Sequence, residues 1–496
     1  WFSFLIGFIR ILWDSRQQSF ADKLSRTLII PRNQIGKEIP EPTEQDEQNW
    51  RRGKVIVYLA IVVLLVVNVI WQYEPPLLDG AEVALKDFAP EENPTENGFY
   101  SFSAFAVPAD QSPYEVGMKR TIEMNKSLFN LLERNKISGL DDDKVEWAID
   151  TLSIAMDDLV YFNDGDFNAK IREKKEMLVE NFKKYDYLQD RYEKIPEYKR
   201  FESKIIPDVL SPVPRMVTFV IYHRLYCLNF FLEYTQGNRD VAISRIYKSD
   251  DVCTYLLENA DNLIMKLVAV ILTNIHQNMI QNLIVYEDEL DPRLYKYVLE
   301  KKDFSKQAMS LRKAFMDEYN RGIAFIVRII DSSQGMMDYS LSRQDIAAAN
   351  PPFIKANCIA NYSFKFREIQ SDLSEESCFE MSKSYARLEA PKISFLEYIN
   401  NPLGVKGELS YSSQFMFHYI FKTRDLQLRN KLLQAAAEIK MRKLDGDEIQ
   451  QFLVENQNKW GNLYEEIPFN WDNVTRELSF SGPLQDELAD ERKIKL

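Results

Sequence analysis

A run of seventeen consecutive uncharged residues, 55–71, constrains this chain more than any other feature of its sequence. As an α-helix that rises about 1.5 Å per residue, the run is roughly 26 Å long, close to the ~30 Å hydrocarbon thickness of a bilayer. A core helix of a soluble domain normally carries a polar stripe, whereas Tyr58 and Asn68 are the only polar side chains here. The sequence therefore predicts a transmembrane helix over these residues rather than a soluble core helix.

The ends of the predicted span carry side chains that favour the interface between membrane and water. Aromatic rings prefer the headgroup layer, and lysine reaches out of the hydrocarbon toward water. The residues in question are Lys54, Tyr58, Trp71 and Tyr73.

The basic residues on the N-terminal flank predict the orientation of this helix. Arg51, Arg52 and Lys54 adjoin the apolar run, and acidic residues dominate the segment that follows it. Because lysine and arginine are retained on the cytoplasmic side of a membrane, residues 72–496 are expected outside the cytoplasm. The predicted location is a bacterial inner membrane, with residues 72–496 in the periplasm.

The charge of the chain limits its partners. The sequence has 62 basic and 75 acidic residues, a formal net charge of −13. Nucleic acid binding requires a basic face that displaces phosphate counterions, so nucleic acid is not expected as a partner. Anionic lipid headgroups are disfavoured for the same reason, apart from the cytoplasmic stretch. The expected partners are the lipid bilayer and a protein of the membrane or periplasm.

A second apolar segment stands at the start of the sequence. Residues 1–13 are apolar apart from Ser3 and Arg10, but they are too short for a complete span. A signal peptide is the alternative, although its basic residues should precede the apolar core, and here they follow it. We expect the end of an earlier transmembrane helix and, since the chain begins with Trp1, a sequence that continues upstream.

Residues 11–30, ILWDSRQQSFADKLSRTLII, resemble the closing segment of an RDD-family membrane domain. The matching residues are Asp14, Arg16, Gln17 or Gln18, Asp22, Lys23, Leu24 and Thr27. Ala21 stands where family members commonly have a histidine. The resemblance covers residues 1–30 only, and it implies a multi-helix inner-membrane domain, sometimes associated with transport, whose other helices lie upstream.

Prolines and charge divide the remaining chain into linkers and helical groups. Both linkers lack apolar periodicity, and the one after the span is rich in proline and acidic residues. The predicted parts are an RDD-like end at 1–30, a cytoplasmic linker at 31–54, the transmembrane helix at 55–71, an acidic linker at 72–97, a first helical group at 98–206, a second at 207–484 and a charged, frayed tail at 485–496.

Apolar residues at spacings of three and four predict an all-α ectodomain, built as an irregular bundle or a helical-hairpin array. About ten helices are expected. They run near 113–136, 142–162, 166–194, 215–235, 239–258, 260–286, 303–330, 375–389, 412–442 and 445–456. Alternating large side chains around Asp472-Asn473 predict a small β-hairpin at 469–480. The aromatic stretch at 98–105 is expected to be extended.

Two of these helices are apolar nearly all round, at 216–232 and 263–275. Each is short for a membrane span, and His223 and Arg224 interrupt the first while Lys266 interrupts the second. We therefore predict that both are central core helices of the ectodomain.

Motifs for catalysis and for cofactor binding are absent from the sequence. It has no Gly-rich phosphate loop, no H-E-x-x-H, no G-x-S-x-G and no paired C-x-x-C. His223, His276 and His418 each lie in an apolar context, which favours core histidines that neighbouring groups satisfy by hydrogen bonds. No catalytic, cofactor-binding or metal residue is predicted.

The four cysteines would lie in a compartment that permits disulfides. Cys358 and Cys378 flank a loop-like segment, and closing a loop of about twenty residues stabilises by roughly 3 kcal/mol in the chain-entropy model. This pair is the candidate disulfide. Cys227 and Cys253 fall on consecutive predicted helices, where they are read as buried thiols.

These features favour a non-enzymatic function: a membrane-tethered periplasmic interaction or scaffold protein that docks a membrane or envelope partner. A groove for a partner's segment, lined by the aromatic residues of 98–105 and 182–201, is a further hypothesis. The alternatives are an envelope-acting hydrolase with carboxylate catalysis and a regulatory ectodomain of an RDD-type transporter. A deep cleft with convergent ionisable groups would favour the hydrolase, and the upstream helices would test the transporter.

Overall fold

The computed structural model describes residues 96–133, 167–205, 216–286, 290–331, 367–387, 414–483 and 492–496, together with scattered positions from Thr43 to Val66. The chain divides into two compact units, Trp1–Val69 and Ile70–Leu496.

In the first unit, the described residues between Glu44 and Val66 are helical. Arg51 and Arg52 are exposed in this helix. The apolar positions recur at spacings of one, three and four, and each is 51–66% exposed. They are Val55, Tyr58, Leu59, Val62, Val63 and Val66. A helical apolar face of this kind is what contact with lipid requires, and the membrane span stays a prediction.

The second unit is mostly helical. The described helices are α1 (Gly98–Ser103), α2 (Pro113–Glu133), α3 (Phe167–Lys184), α4 (Tyr187–Glu193), α5 (Val217–Thr235), α6 (Arg239–Asn259), α7 (Leu263–Tyr286), α8 (Pro292–Glu300), α9 (Lys306–Met309), α10 (Arg312–Asp331), α11 (Cys378–Arg387), α12 (Gln414–Arg442), α13 (Asp447–Glu455) and α14 (Gln457–Trp460), with a 3-10 turn at Ile195–Glu197. Residues 367–375 are also helical.

The centre of this unit is made by α5, α6 and α7, which pack on one another. Helix α12 packs on α7 and α8, while α3 packs on α5 and α10 packs on α7. The 3-10 turn packs on α6. The two predicted helical groups therefore belong to the same compact unit.

The apolar helices α5 and α7 are core helices, as predicted. Residues such as Tyr222, Phe230 and Leu272 are fully buried. Of the helices that the structure describes, only α7 has the length and hydropathy to cross a membrane, and 72% of that apolar window is buried inside the protein. Burial of this extent is what a core helix of a bundle shows.

The aromatic stretch at 98–105 is helical over Gly98–Ser103, so the expectation of an extended segment is wrong. The Asn97 side chain accepts a hydrogen bond from the Phe99 backbone N–H at 3.1 Å and caps α1. Phe99, Phe102 and Phe105 are almost fully buried. Because these rings lie in the core, they do not form the hypothesised open groove for a partner.

One arginine holds the loop that follows α1. The Arg191 guanidinium donates to the backbone oxygens of Phe105 at 3.0 Å, Val107 at 2.5 Å, Pro108 at 2.8 Å and Gln111 at 2.9 Å. Guanidinium offers five N–H donors in a fixed fork, which suits it to several carbonyls at once. The loop 105–111 is thereby tied to α4.

Several predicted helices differ in extent from the observed ones. The helix expected at 166–194 is broken between α3 and α4, and the one expected at 303–330 is divided into α9 and α10. Helix α8 was not predicted, although Asp291 caps it and Pro292 occupies its first turn. Asn97, the last residue of the predicted acidic linker, is fully buried.

A small β region ends the chain. Strands β1 (Gly461–Asn462) and β2 (Ile467–Pro468) form one antiparallel pair. The predicted hairpin is confirmed as β3 (Asn470–Asp472) against β4 (Glu477–Ser479), with Trp471 opposite Leu478. Asp472 accepts hydrogen bonds from the backbone N–H groups of Val474 and Thr475 in the turn, as aspartate does in tight turns.

The expectation of a frayed C-terminus is wrong for residues 492–496. Strand β5 (Lys493–Lys495) pairs antiparallel with β4, and Ile494 is fully buried opposite Leu478. The β region therefore has a three-stranded sheet in the order β3-β4-β5 beside the two-stranded pair.

Some predictions fall on residues outside the described ranges. They concern the RDD-like end at 1–30, the helix at 142–162, Lys54, Trp71, Tyr73 and Cys358.

Candidate functional site: a buried histidine network beside a small pocket

Two histidines lie in the core where α5, α6 and α7 meet. The ring of His223 has its Nε2 2.8 Å from the backbone oxygen of Leu272 and its Nδ1 2.7 Å from the hydroxyl of Tyr192. A carbonyl oxygen only accepts, so Nε2 carries the hydrogen and the Tyr192 hydroxyl donates to Nδ1. His223 is thus a neutral imidazole with both nitrogens bonded.

His276 on α7 has a matching arrangement. Its Nδ1 lies 3.0 Å from the Ser249 hydroxyl on α6, and its Nε2 lies 2.8 Å from the Tyr297 hydroxyl on α8. Tyr297 is also hydrogen-bonded to Asp250, and a carboxylate only accepts. Tyr297 therefore donates to Asp250 and accepts from His276 Nε2–H, which leaves Nδ1 to accept from Ser249.

The hydroxyls of Ser249 and Tyr192 lie 3.5 Å apart, and each donates its hydrogen to a histidine. The two halves are joined by α7, which carries both His276 and the Leu272 backbone oxygen, so one set of side chains holds α4, α5, α6 and α8 to α7. We call this set the histidine network. Its members are Tyr192, His223, Ser249, Asp250, His276 and Tyr297.

Burial keeps both imidazoles neutral. Desolvation lowers the pKa of His223 to about 3, helped by the neighbouring His276 ring. Desolvation also lowers the pKa of His276 to about 3, and the Lys301 ammonium adds to this effect. With both nitrogens bonded and the rings uncharged, neither histidine is available as a general base in this arrangement. The prediction of core histidines satisfied by their neighbours is confirmed for both.

The cysteines beside the network are unreactive thiols. Cys227 Sγ lies 3.6 Å from His223 Nε2 and 3.7 Å from Ser249 Oγ. Burial raises the pKa of the Cys227 and Cys253 thiols, so the nucleophilic thiolate is disfavoured. Cys378 is also buried. The disulfide between Cys358 and Cys378 stays a prediction.

The network reaches the surface through an ion pair. The Lys301 ammonium contacts the carboxylate of Asp250, and the two side chains are 12% and 19% exposed. Burial acts to raise the pKa of Asp250, but the charge of Lys301 and the hydrogen bond from Tyr297 outweigh it, and the pKa is lowered. Asp250 is therefore an ionised, paired carboxylate.

A small, partly open pocket lies beside this ion pair, between α7, α8 and α12. Its polar lining includes His276, Gln277, Lys301 and Asn430. The enclosed space is about 10 Å³, at the lower limit of the roughly 10–15 Å³ that one water molecule needs. It is far smaller than the roughly 300–1,000 Å³ of typical ligand pockets.

Elsewhere in the described ranges, no group of three or more His, Cys, Asp or Glu side chains is arranged to hold a metal ion. No protein-family model, curated protein or solved structure matches the chain. The resemblance of residues 1–30 to the RDD family accordingly stays a prediction.

The sequence predicted the two histidines of this site but not their partners. Ser249, Tyr297 and Asn430 lie on other helices, far apart along the chain, and nothing in their local sequence singles them out. The available signal was indirect: a histidine on an apolar helix requires polar partners, because an unpaired buried polar group is costly.

Proposed function

We propose that this protein is a membrane-tethered scaffold, whose helical domain outside the cytoplasm docks a partner in the membrane or envelope. The observation that carries the proposal is the exposed apolar helical face at Val55, Leu59, Val62 and Val66, since such a face is unfavourable in water. The flanking Arg51 and Arg52 support a cytoplasmic N-terminal side.

The polar groups beside the pocket favour a structural role over catalysis. A carboxylate hydrolase needs an acid and a base that face a cleft. Asp250 is instead paired with Lys301, and both nitrogens of His276 are bonded within the histidine network. These bonds hold α6, α7 and α8 together, as a structural support requires.

Membrane insertion is tested by Val63→Arg, which introduces a charge in the middle of the apolar run. Such a charge costs roughly 2.5–3.5 kcal/mol of insertion free energy. We expect the wild-type chain in the alkali-resistant membrane fraction and the variant partly released. The matched control is Val474→Arg, because Val474 is 93% exposed at a hairpin tip.

Orientation is tested with a C-terminal alkaline phosphatase fusion, which is active only outside the cytoplasm. The wild-type fusion should be active, and reversing the charges of Arg51, Arg52 and Lys54 to glutamate should reduce its activity. Release of the wild-type protein by alkali, or an inactive fusion, would contradict the tether.

Docking is tested by purifying the whole chain from membranes in a mild detergent. A protein that co-purifies at fixed stoichiometry, and cross-links to residues beyond 96, is the expected result. A chain that purifies alone and hydrolyses an envelope polymer would contradict the scaffold.

A further inference from the structure

Helix α7 has an uncharged stripe along its solvent-facing side. Every exposed or half-buried position of α7 is uncharged, in a chain of which 28% of the residues are charged. Ile264 and Ile271 are 38% and 46% exposed, and Leu267 between them is half-buried. Because these residues are three and four positions apart, they lie on one face of the helix. The first half of α7 therefore presents an apolar face to solvent.

Helix α5 lies beside α7 and runs in the same direction. His223 is hydrogen-bonded to the Leu272 backbone oxygen, and the ring of Phe230, further along α5, contacts the ring of His276, further along α7. Later residues of α5 thus meet later residues of α7, so the two helices are parallel. Val217 precedes His223 by six residues, which places it level with the first half of α7. It is 61% exposed.

The apolar positions of both helices point away from α6. Glu233 of α5 forms an ion pair with α6, and Val217 lies about 160° around the helix from Glu233. His276 of α7 is hydrogen-bonded to α6, and Ile271 lies about 140° around the helix from His276. The two helices therefore share one apolar face, which we call the α5/α7 face. Its members are Val217, Val220, Ile264, Leu267 and Ile271. Half-buried Arg224 ends the apolar stripe on α5 and borders this face.

We propose that the α5/α7 face is the interface of a homodimer, in which a second copy of this chain covers it across a two-fold axis. In such a dimer the same face of each copy meets itself, so the surface must complement itself. An apolar, uncharged surface does so, whereas a surface of one charge sign does not. The formal net charge of −13 disfavours contact between two copies elsewhere on the protein. The dimer does not depend on the proposed scaffold function.

The size of this face predicts a weak dimer. Helix α7 has 24 residues and is about 36 Å long. With a stripe about 10 Å wide, and with the first turns of α5, the dimer buries roughly 1,000 Å² in total. Specific interfaces begin near this size, so we expect a dissociation constant on the order of micromolar.

The experiment is analytical ultracentrifugation of the full chain in a density-matched detergent. The mass of the protein should rise from one copy to two copies as its concentration increases. Raising the salt concentration from about 50 mM to about 500 mM should strengthen the dimer, because salt screens the repulsion between two acidic copies. An association through opposite charges would weaken instead, and that result would contradict an uncharged interface.

Two variants and one control complete the test. Ile271→Glu should raise the dissociation constant at least about tenfold, because a two-fold interface contains each substitution twice and brings the two like charges together. Val217→Glu should have the same effect, and the high exposure of Val217 makes this change the safer one for folding. The control is Val454→Glu on α13, which adds the same charge at a position that is 54% exposed and should leave the dissociation constant unchanged.

A wild-type chain that stays monomeric up to about 100 μM would overturn the proposal, and the α5/α7 face would then be open to a different protein. A dimer that both Ile271→Glu and Val217→Glu leave unchanged would overturn it as well, because the contact would then lie elsewhere on the chain.

Discussion

Arg492 and Asp425 form an ion pair inside the protein, with Arg492 Nε 2.8 Å from Asp425 Oδ2 and side chains that are 1% and 8% exposed. The Tyr464 hydroxyl donates to the other carboxylate oxygen at 2.7 Å. The two terminal nitrogens of the Arg492 guanidinium donate to the backbone oxygens of Gly482 and Pro483. The C-terminal strand is thereby attached to α12 through a fully bonded pair of charges.

Arg492→Met should destabilise the domain strongly. It leaves the Asp425 carboxylate buried without its cation, and breaking a buried pair on one side costs about 3–5 kcal/mol. The measurement is the free energy of unfolding from urea titration. Lys119→Met is the control, because Lys119 and Glu123 form an exposed pair on α2 worth about 0.5 kcal/mol or less. Equal losses of unfolding free energy in Arg492→Met and Lys119→Met would contradict a stabilising role of the buried ion pair.

Ser249→Ala should weaken the histidine network at its centre. The change removes the hydroxyl that donates to His276 Nδ1, so a buried acceptor loses its partner at a cost of about 1–3 kcal/mol. Unfolding free energies by circular dichroism check this value. Ser127→Ala on α2 is the matched control, since Ser127 bonds only to the exposed backbone of its own helix and alanine is a good helix former. A neutral Ser249→Ala would show that the network contributes little.

The domain should lose stability as the pH falls below 6.5. The unfolded chain binds protons at His223 and His276 near the ordinary pKa of 6.5, whereas the folded chain holds both pKa values at about 3. Between these values the unfolded state binds more protons, so the free energy of unfolding falls with falling pH. Each histidine contributes up to about 1.4 kcal/mol per pH unit.

This pH dependence is measured from about pH 7 to about pH 5, before most carboxylates titrate. His276→Gln should reduce the slope of the unfolding free energy against pH by the contribution of one histidine, up to about 1.4 kcal/mol per pH unit. A wild-type stability that is constant over this range would contradict neutral buried imidazoles.

Lys266 should produce a second pH dependence of the same sign in the alkaline range. Its ammonium is buried and donates to the backbone oxygens of Leu257 and Ala308, and burial lowers its pKa from 10.5 to about 7. From pH 7 to pH 10.5 the unfolded state binds more protons, so the free energy of unfolding rises with pH. Lys266→Met should reduce this slope by up to about 1.4 kcal/mol per pH unit. Identical slopes in variant and wild type would rule out a titrating Lys266.

Gly117→Ala should separate α1 from α2. A Cβ at this position would lie 2.0 Å from the backbone oxygen of Tyr100, which has little room to move. Overpacking of this kind costs about 1–3 kcal/mol. Loss of hydrogen-exchange protection in α1 and α2, with α12 unchanged, is the expected pattern. A Gly117→Ala variant that keeps the wild-type hydrogen-exchange protection of α1 would contradict the close approach of Gly117 to the Tyr100 backbone.

The local sequence was sufficient to predict the long helices and one turn. The apolar spacing in α5, α6, α7 and α12 predicted helices close to their observed positions, because periodicity records which face is buried. The Asp472-Asn473 pair predicted the β3–β4 hairpin, since aspartate stabilises a turn by bonding to its own backbone.

Local sequence failed where a distant contact decides the conformation. The aromatic residues of α1 predict an extended segment. In the structure Asn97 caps a helix there, and Phe102 of this helix packs against Phe219. The charged residues at 485–496 predict a frayed tail. In the structure Arg492 pairs with Asp425, which lies 67 residues earlier in the chain, and β5 joins the sheet.

The sequence by itself determined that most of this chain is helical, that α5 and α7 form a core, and that their histidines need polar partners. Only the tertiary structure decided which partners those are. The physical reason is that burial repeats with the period of a helix and is visible in any short window. A buried hydrogen bond between Gln277 and Asn430 joins residues 153 positions apart and leaves no local pattern.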